Sequence, residues 1–165
     1  MKNNFTHLMI HCSATPEGMW FDRTDIERWH LQERGWSKVG YSGLFLLDGT
    51  LDLLIPFDRD DSISSWEISN GARGWNGRSR HICYIGGLAK NGRTTKDTRT
   101  VEQLVALENF VKMHTMLWPK VKLIGHNQVN ATKDCPSFDV SQWAQSIGIP
   151  SSLIDSNIYY NEKTI

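Results

Sequence analysis

Short apolar runs, each cut off by a turn or a helical stretch, constrain this 165-residue chain more than any other feature. Residues 5–11, Phe-Thr-His-Leu-Met-Ile-His, read as a strand that runs straight into the turn-rich Cys12-Ser13-Ala14-Thr15-Pro16. Residues 43–55 hold two apolar runs around Asp48-Gly49, the strongest short hairpin signal in the chain, and Pro56 closes the second. His81-Ile82-Cys83-Tyr84-Ile85 is a further strand stopped by Gly86-Gly87, and Val121-Lys122-Leu123-Ile124 is another. Helical signals stand between them. Thr24-Asp25-Ile26-Glu27 has the form of a capping box for a helix over 23–33, ended by Gly35. Thr100-Val101-Glu102-Gln103 caps a helix to about 117, with Val101, Leu104, Val105, Leu107 and Val111 as its expected buried side. Asp139 opens a last helix, with Gln142 at the capping-box position, and Gly148 and Pro150 end it. The order strand, helix, hairpin, strand, helix, strand, helix predicts an α/β fold: one domain with a central mixed β-sheet flanked by helices.

The length fits a single domain, which can bury about 70% of the surface its unfolded chain exposes. The elements fall within residues 1–150, and 151–165 read as a polar extension, either a loose tail or a packed one. Eighteen basic and eighteen acidic residues give a net charge of zero, which argues against a dedicated nucleic-acid binder. No apolar run reaches the length of a membrane span. Met1–Phe5 lacks the apolar core of a signal peptide, so the expectation is a protein cytoplasmic as synthesised, acting outside the membrane only after release. A monomer is the default expectation. Cys12, Cys83 and Cys135 cannot all pair, so buried thiols or a metal ligand are better readings than a disulfide framework.

Residues 58–79 form a long polar, Gly-rich loop, and a loop of that length inside one domain tends to be functional. Charge is uneven around it. Residues 71–100 carry Arg73, Arg78, Arg80, Lys90, Arg93, Lys96 and Arg99 against Asp97 alone, whereas 51–67 carry five acids and one Arg. These are either two solvated loops or a positive wall beside a site for an anionic ligand.

The residues with the most chemistry are His11, at the end of one strand, His126, just beyond another, and Cys135. Two imidazoles and a thiolate suit Zn²⁺, and three protein ligands leave a fourth position open, as in catalytic rather than structural sites. Spacing alone leaves the alternative open that the histidines are satisfied polar residues and the cysteine a buried thiol.

His11-Cys12-Ser13-Ala14-Thr15 resembles the opening motif of the zinc-dependent N-acetylmuramoyl-L-alanine amidases of the phage-lysozyme type (amidase type 2), which share a fold with the peptidoglycan recognition proteins. The likeness continues in order through Trp29-His30, Gly35-Trp36, Val39-Gly40-Tyr41, Asp48-Gly49-Thr50, Ala72-Arg73-Gly74-Trp75-Asn76 with Ser79, Gly125-His126 and Lys133-Asp134-Cys135-Pro136-Ser137-Phe138-Asp139. It covers residues 5–147. The resemblance implies Zn²⁺ held by His11, His126 and Cys135, with Tyr41 and Lys133 assisting catalysis. It implies a bacteriolytic, endolysin-like enzyme that cleaves the bond between N-acetylmuramic acid and L-alanine in peptidoglycan. On that reading Arg73 pairs with a stem-peptide carboxylate, Trp75 either supplies an apolar wall or belongs to the core, and Asn76 either donates to the stem backbone or braces its own loop.

Three departures from the family pattern stand out. Ser42 and Gly43 replace a His and an aromatic after Tyr41, Gly71 replaces the His of a His-Ala pair, and Arg80-His81 replaces an apolar-Gly pair. His81 is expected to be structural, and Cys12 and Cys83 to be buried small residues. Two rival functions remain at this stage. One is a non-catalytic peptidoglycan-binding module of the same fold, a reading that the retained Cys135 disfavours. The other is a cysteine hydrolase with Cys135 as nucleophile and His126 as base.

Overall fold

A computed structural model describes residues 2–160. The apolar runs become strands, joined by shorter ones: β1 (Lys2–Asn4), β2 (His7–Cys12), β3 (Thr15–Pro16), β4 (Gly43–Phe45), β5 (Leu51–Leu53), β6 (Ser62–Ser64), β7 (Ser79–Tyr84), β8 (Gly87–Leu88) and β9 (Lys122–Gly125). Three α-helices intervene, α1 (Arg23–Glu27), α2 (Val101–Leu117) and α3 (Val140–Ser146). The main sheet has the order β5-β4-β7-β2-β9. β4, β7, β2 and β9 run parallel, and β5 returns antiparallel at the edge, so the sheet is mixed. The hairpin turn needs its glycine twice over. Gly49 has φ +81°, and a Cβ there would lie 2.8 Å from the Glu102 carbonyl oxygen.

Side chains alternate across β2. Leu8, Ile10 and Cys12 face α2 and α3 and join the main core with Ile82, Tyr84, Leu107, Phe110, Val111, Val140 and Ala144. Met9 and His11 take the opposite face, where Met9 packs with Ala72, Trp75 and Ile124. A neighbouring cluster on that side, Ile26, Val39, Leu44, Cys83 and Ile85, seats α1.

Two helices differ from the sequence expectation. α2 buries Leu107, Phe110, Val111 and His114, and Leu104 is half-buried, but Val101 and Val105 are exposed. Its first turn is instead anchored by the buried Gln103, whose amide donates to the carbonyls of Phe45 and Ile85. α1 is capped by Asp22 rather than Thr24: the Asp22 carboxylate accepts from Thr24 N–H at 2.8 Å and Asp25 accepts from Asp22 N–H. Beyond Glu27 the helix widens into a π-helical stretch, Arg28–Glu33, a form common at functional sites.

The extension is tied to the domain at Ile154 and Asp155, its two buried residues among those described. Ile154 bridges Leu123, and the buried Asp155 carboxylate holds His7 Nε2 at 3.0 Å and the Tyr159 hydroxyl at 2.6 Å. Gln128 donates to the carbonyls of Asp155 and Asn157, tying this segment to the turn that follows β9. Residues 161–165 of the expected tail lie outside the described residues. No helix among the described residues is long and apolar enough to cross a membrane.

Arg80 is not part of a positive wall. Its guanidinium is buried, 4.2–4.4 Å from the ring centres of Phe5, Phe57 and Trp118, and pairs with the buried Glu67 at 3.4 Å. Glu67 also accepts the N–H groups of Asp58 and Ser64, fastening the acidic segment to the sheet. Removing one partner strands a buried charge. Glu67→Ala is therefore expected to lower unfolding stability by about 3–5 kcal/mol, read by urea denaturation. An unchanged midpoint and slope would show that the pair carries no such load.

Candidate metal centre

Parallel strands bring their carboxyl ends to one edge of the sheet, the place where open α/β sheets bind ligands. His11 lies near that end of β2 and His126 directly follows β9, the neighbouring strand. Their rings stand 4.6 Å apart. Cys135 arrives on a turn-rich segment pinned from three sides. Asn127 N–H donates to the Cys135 carbonyl at 2.7 Å, the Tyr84 hydroxyl to the Pro136 carbonyl at 2.8 Å, and Ser137 Oγ to the Gly87 carbonyl at 2.9 Å. Cys12 N–H points at the Cys135 sulfur, 3.2 Å away, a contact that favours a thiolate.

One ligand atom from each of His11, His126 and Cys135 lies within 4.8 Å of the others. The three side chains fit a tetrahedral zinc ion. Zn–N near 2.0 Å and Zn–S near 2.3 Å place neighbouring N and S donors about 3.5 Å apart. His11 Nδ1 and Cys135 Sγ stand 3.6 Å apart. Burial holds His11 well below the usual imidazole range, and burial together with the Lys133 charge lowers His126 to about 4. Both rings therefore keep a lone pair for a metal at neutral pH. In the metal-free chain burial pushes the Cys135 thiol up. That is the wrong direction for a free thiolate nucleophile.

The trio forms part of the lining of a cleft of about 730 Å³. Trp29, His30, Glu33, Arg34 and Trp36 line it from the π-helical stretch and its exit, residues 70–74 and Asn76 from the Gly-rich loop, and Asn130 and Lys133 from the cysteine segment. Tyr41 is half-buried with its ring 5.4 Å from that of His11 and 5.3 Å from that of His30. Burial first, and then the neighbouring cysteines, push its hydroxyl well above the usual range, so it stays protonated. Lys133 is exposed and lines the cleft.

The remaining sequence candidates separate. Arg73 lines the cleft with its side chain exposed. Asn76 lines it too, and its Oδ1 accepts Ala72 N–H at 2.8 Å, bracing the loop. Trp75 does not line the cleft. It is 7% exposed, packed with Met9, Ala72 and Ile124, with His7 and Tyr159 against its ring and the Arg78 guanidinium 3.9 Å from its centre. Of the two roles that the sequence leaves open for Trp75, its packing is that of a core residue. Of the seven basic residues in 71–100, only Arg73 reaches the cleft, and Arg34 and Lys133 supply its other cations. Cys12 and Cys83 are buried and unpaired, as expected.

His30 was legible only as part of a helix motif. In the fold it is a buried ring stacked on Trp36, with Nδ1 accepting Gly40 N–H at 3.1 Å. Burial, with the charge of Arg34, lowers it to about 4, so its proton sits on Nε2. The spacing of His30 and Arg34, one helical turn apart, was the available signal. His81 is buried as well, with Nδ1 2.9 Å from His11 Nε2.

No protein-family model matches the sequence. The endolysin of Enterobacteria phage K11 is 30% identical over 145 residues, covering 88% of this chain and 89% of that protein. Among solved structures, the N-acetylmuramoyl-L-alanine amidase LysC from Clostridium intestinale URNW superposes with a TM-score of 0.67 at 19% identity, over 90% of this chain and 88% of its own. Drosophila PGRP-LB superposes with a TM-score of 0.63 at 23% identity, over 98% and 90%.

Proposed function

Because this chain belongs to the phage endolysin family and has the type-2 amidase fold, we propose that it is a zinc-dependent N-acetylmuramoyl-L-alanine amidase acting on bacterial peptidoglycan. The observation that carries this reading is the convergence of His11, His126 and Cys135 in the wall of a cleft of about 730 Å³. A zinc ion held by these three residues supplies a Lewis acid for the amide carbonyl and an activated water.

The chain's own residues do the rest. The Tyr41 hydroxyl, kept protonated beside His11, orients the attacking water and takes part in moving its proton. The Lys133 ammonium faces the negative charge that builds on the carbonyl oxygen. The water oxygen bonds to the lactyl carbonyl carbon, the bond from that carbon to the alanine nitrogen breaks, the acyl side becomes a carboxylate, and the nitrogen takes up the protons that the water gives up and departs as the amine. Arg73 can pair bidentately with a stem carboxylate, and Asn76 fixes the loop that carries it.

Digestion of purified sacculi tests the assignment. New free amine without new reducing ends is the expected result. New reducing ends would make the chain a glycosidase, and binding without either product would make it a recognition module.

A further inference from the structure

We infer that His81 is a positioning residue for the metal ligand His11, fixing the tautomer and ring plane that turn His11 Nδ1 toward Cys135. The inference deepens the metal centre proposed above and rests on it. A neutral imidazole offers a lone pair from Nδ1 only when its proton sits on Nε2. His11 Nδ1 lies 3.6 Å from the Cys135 sulfur, and His11 Nε2 lies 2.9 Å from His81 Nδ1. Two ring nitrogens at that distance share one proton. For His11 to ligate through Nδ1 the proton is its own, and His81 Nδ1 accepts it.

His81 then carries its proton on Nε2, which is buried and has no partner among the described residues. A buried donor without a partner weakens a fold. A strand position that only had to fill space would be served by an apolar side chain without that penalty. Ligating histidines commonly give their second N–H to a carboxylate, a carbonyl or water, and such partners orient the ring. Here a neutral imidazole does so from the adjacent strand, since β7 pairs directly with β2.

Gly71 supports the assignment independently. A Cβ at Gly71 would lie 2.4 Å from both Cγ and Nδ1 of His81 and 2.6 Å from the Gly40 carbonyl oxygen. The His81 ring fills the space that any side chain at 71 would claim. The two departures from the family pattern, Gly71 and His81, therefore meet at one place in the fold.

Two measurements on the full chain test this. In metal-free protein with ¹⁵N-labelled histidine, long-range ¹H–¹⁵N correlation should report the Nε2–H tautomer for both His11 and His81. A proton on His11 Nδ1 would overturn the inference. In chelator competition, His81→Leu should bind zinc about 10–100-fold more weakly, the scale on which outer-shell partners of a metal ligand act. His81→Asn, whose Oδ1 replaces the accepting Nδ1, should stay within about threefold of the wild type on the same scale. Equal affinity of His81→Leu and wild type, or an equal loss in both variants, overturns the role of His81 alone. If His81→Leu does not fold, the tautomer and the Asn variant still decide. A wild-type chain that takes up no zinc overturns the metal centre itself, and this inference with it.

Discussion

Chelation of the purified protein should abolish peptidoglycan hydrolysis and lower its melting temperature together, and added zinc should restore both. The two effects share a cause. His11 comes from β2, His126 from the end of β9 and Cys135 from a segment more than a hundred residues after His11. Without an ion, the sulfur is held by the Cys12 N–H and by the backbone pins of its loop. An ion that binds only the folded chain adds about 4 kcal/mol when its free concentration is a thousand times its dissociation constant. For a domain of this size that corresponds to about 10 °C. His11→Ala should reproduce the loss of activity, fail to recover with zinc, and lose further stability. The side chain is 1% exposed, and its removal leaves a cavity and strands His81 Nδ1. Calorimetry and a turbidity assay on the same samples read both quantities. Full activity after exhaustive chelation, with inactivation by a thiol alkylating agent, would return the cysteine-nucleophile reading.

The parts of this fold that depend on local pattern are readable in the chain. The Asp48-Gly49 turn, the Thr100 cap and the strand-end histidines all follow from short-range chemistry. The strand order is different in kind. β2 lies between β7 and β9, partners some 70 and 115 residues away, and parallel pairing leaves no turn signature to register it. The expected face of α2 holds at Leu107 and Val111 but not at Val101 and Val105, because apolar residues occur nearly all round that helix, while the inner positions include Gln103 and His114. The site shows the same division. His11, His126 and Cys135 were legible as a donor set, and the sheet supplies the reason they meet. The role of Trp75 stays open in the sequence because a Trp on a Gly-rich loop has the same sequence context whether it turns out or in. The link from His81 to His11 needed the register of β2 against β7 and the empty Cβ position of Gly71.

Lys133→Ala should cut turnover by about 10²-fold or more while zinc content stays at one ion per chain, the scale on which loss of an oxyanion partner acts. The residue is exposed, so folding should be unaffected. Its positive charge already registers at the centre, where it helps to keep His126 unprotonated. The same ammonium meets a full negative charge only when the carbonyl oxygen takes one up, so the loss should fall on kcat and leave KM nearly unchanged. Tyr41→Phe separates proton handling from this charge effect. It keeps the ring between His11 and His30 and removes only the hydroxyl, so zinc binding and stability should hold while turnover falls about 10²–10⁴-fold, the range for a lost acid–base group. Steady-state kinetics on soluble muropeptides, with zinc measured in the same preparations, distinguishes the two. A Lys133→Ala chain that turned over normally with its metal in place would confine that lysine to tuning His126.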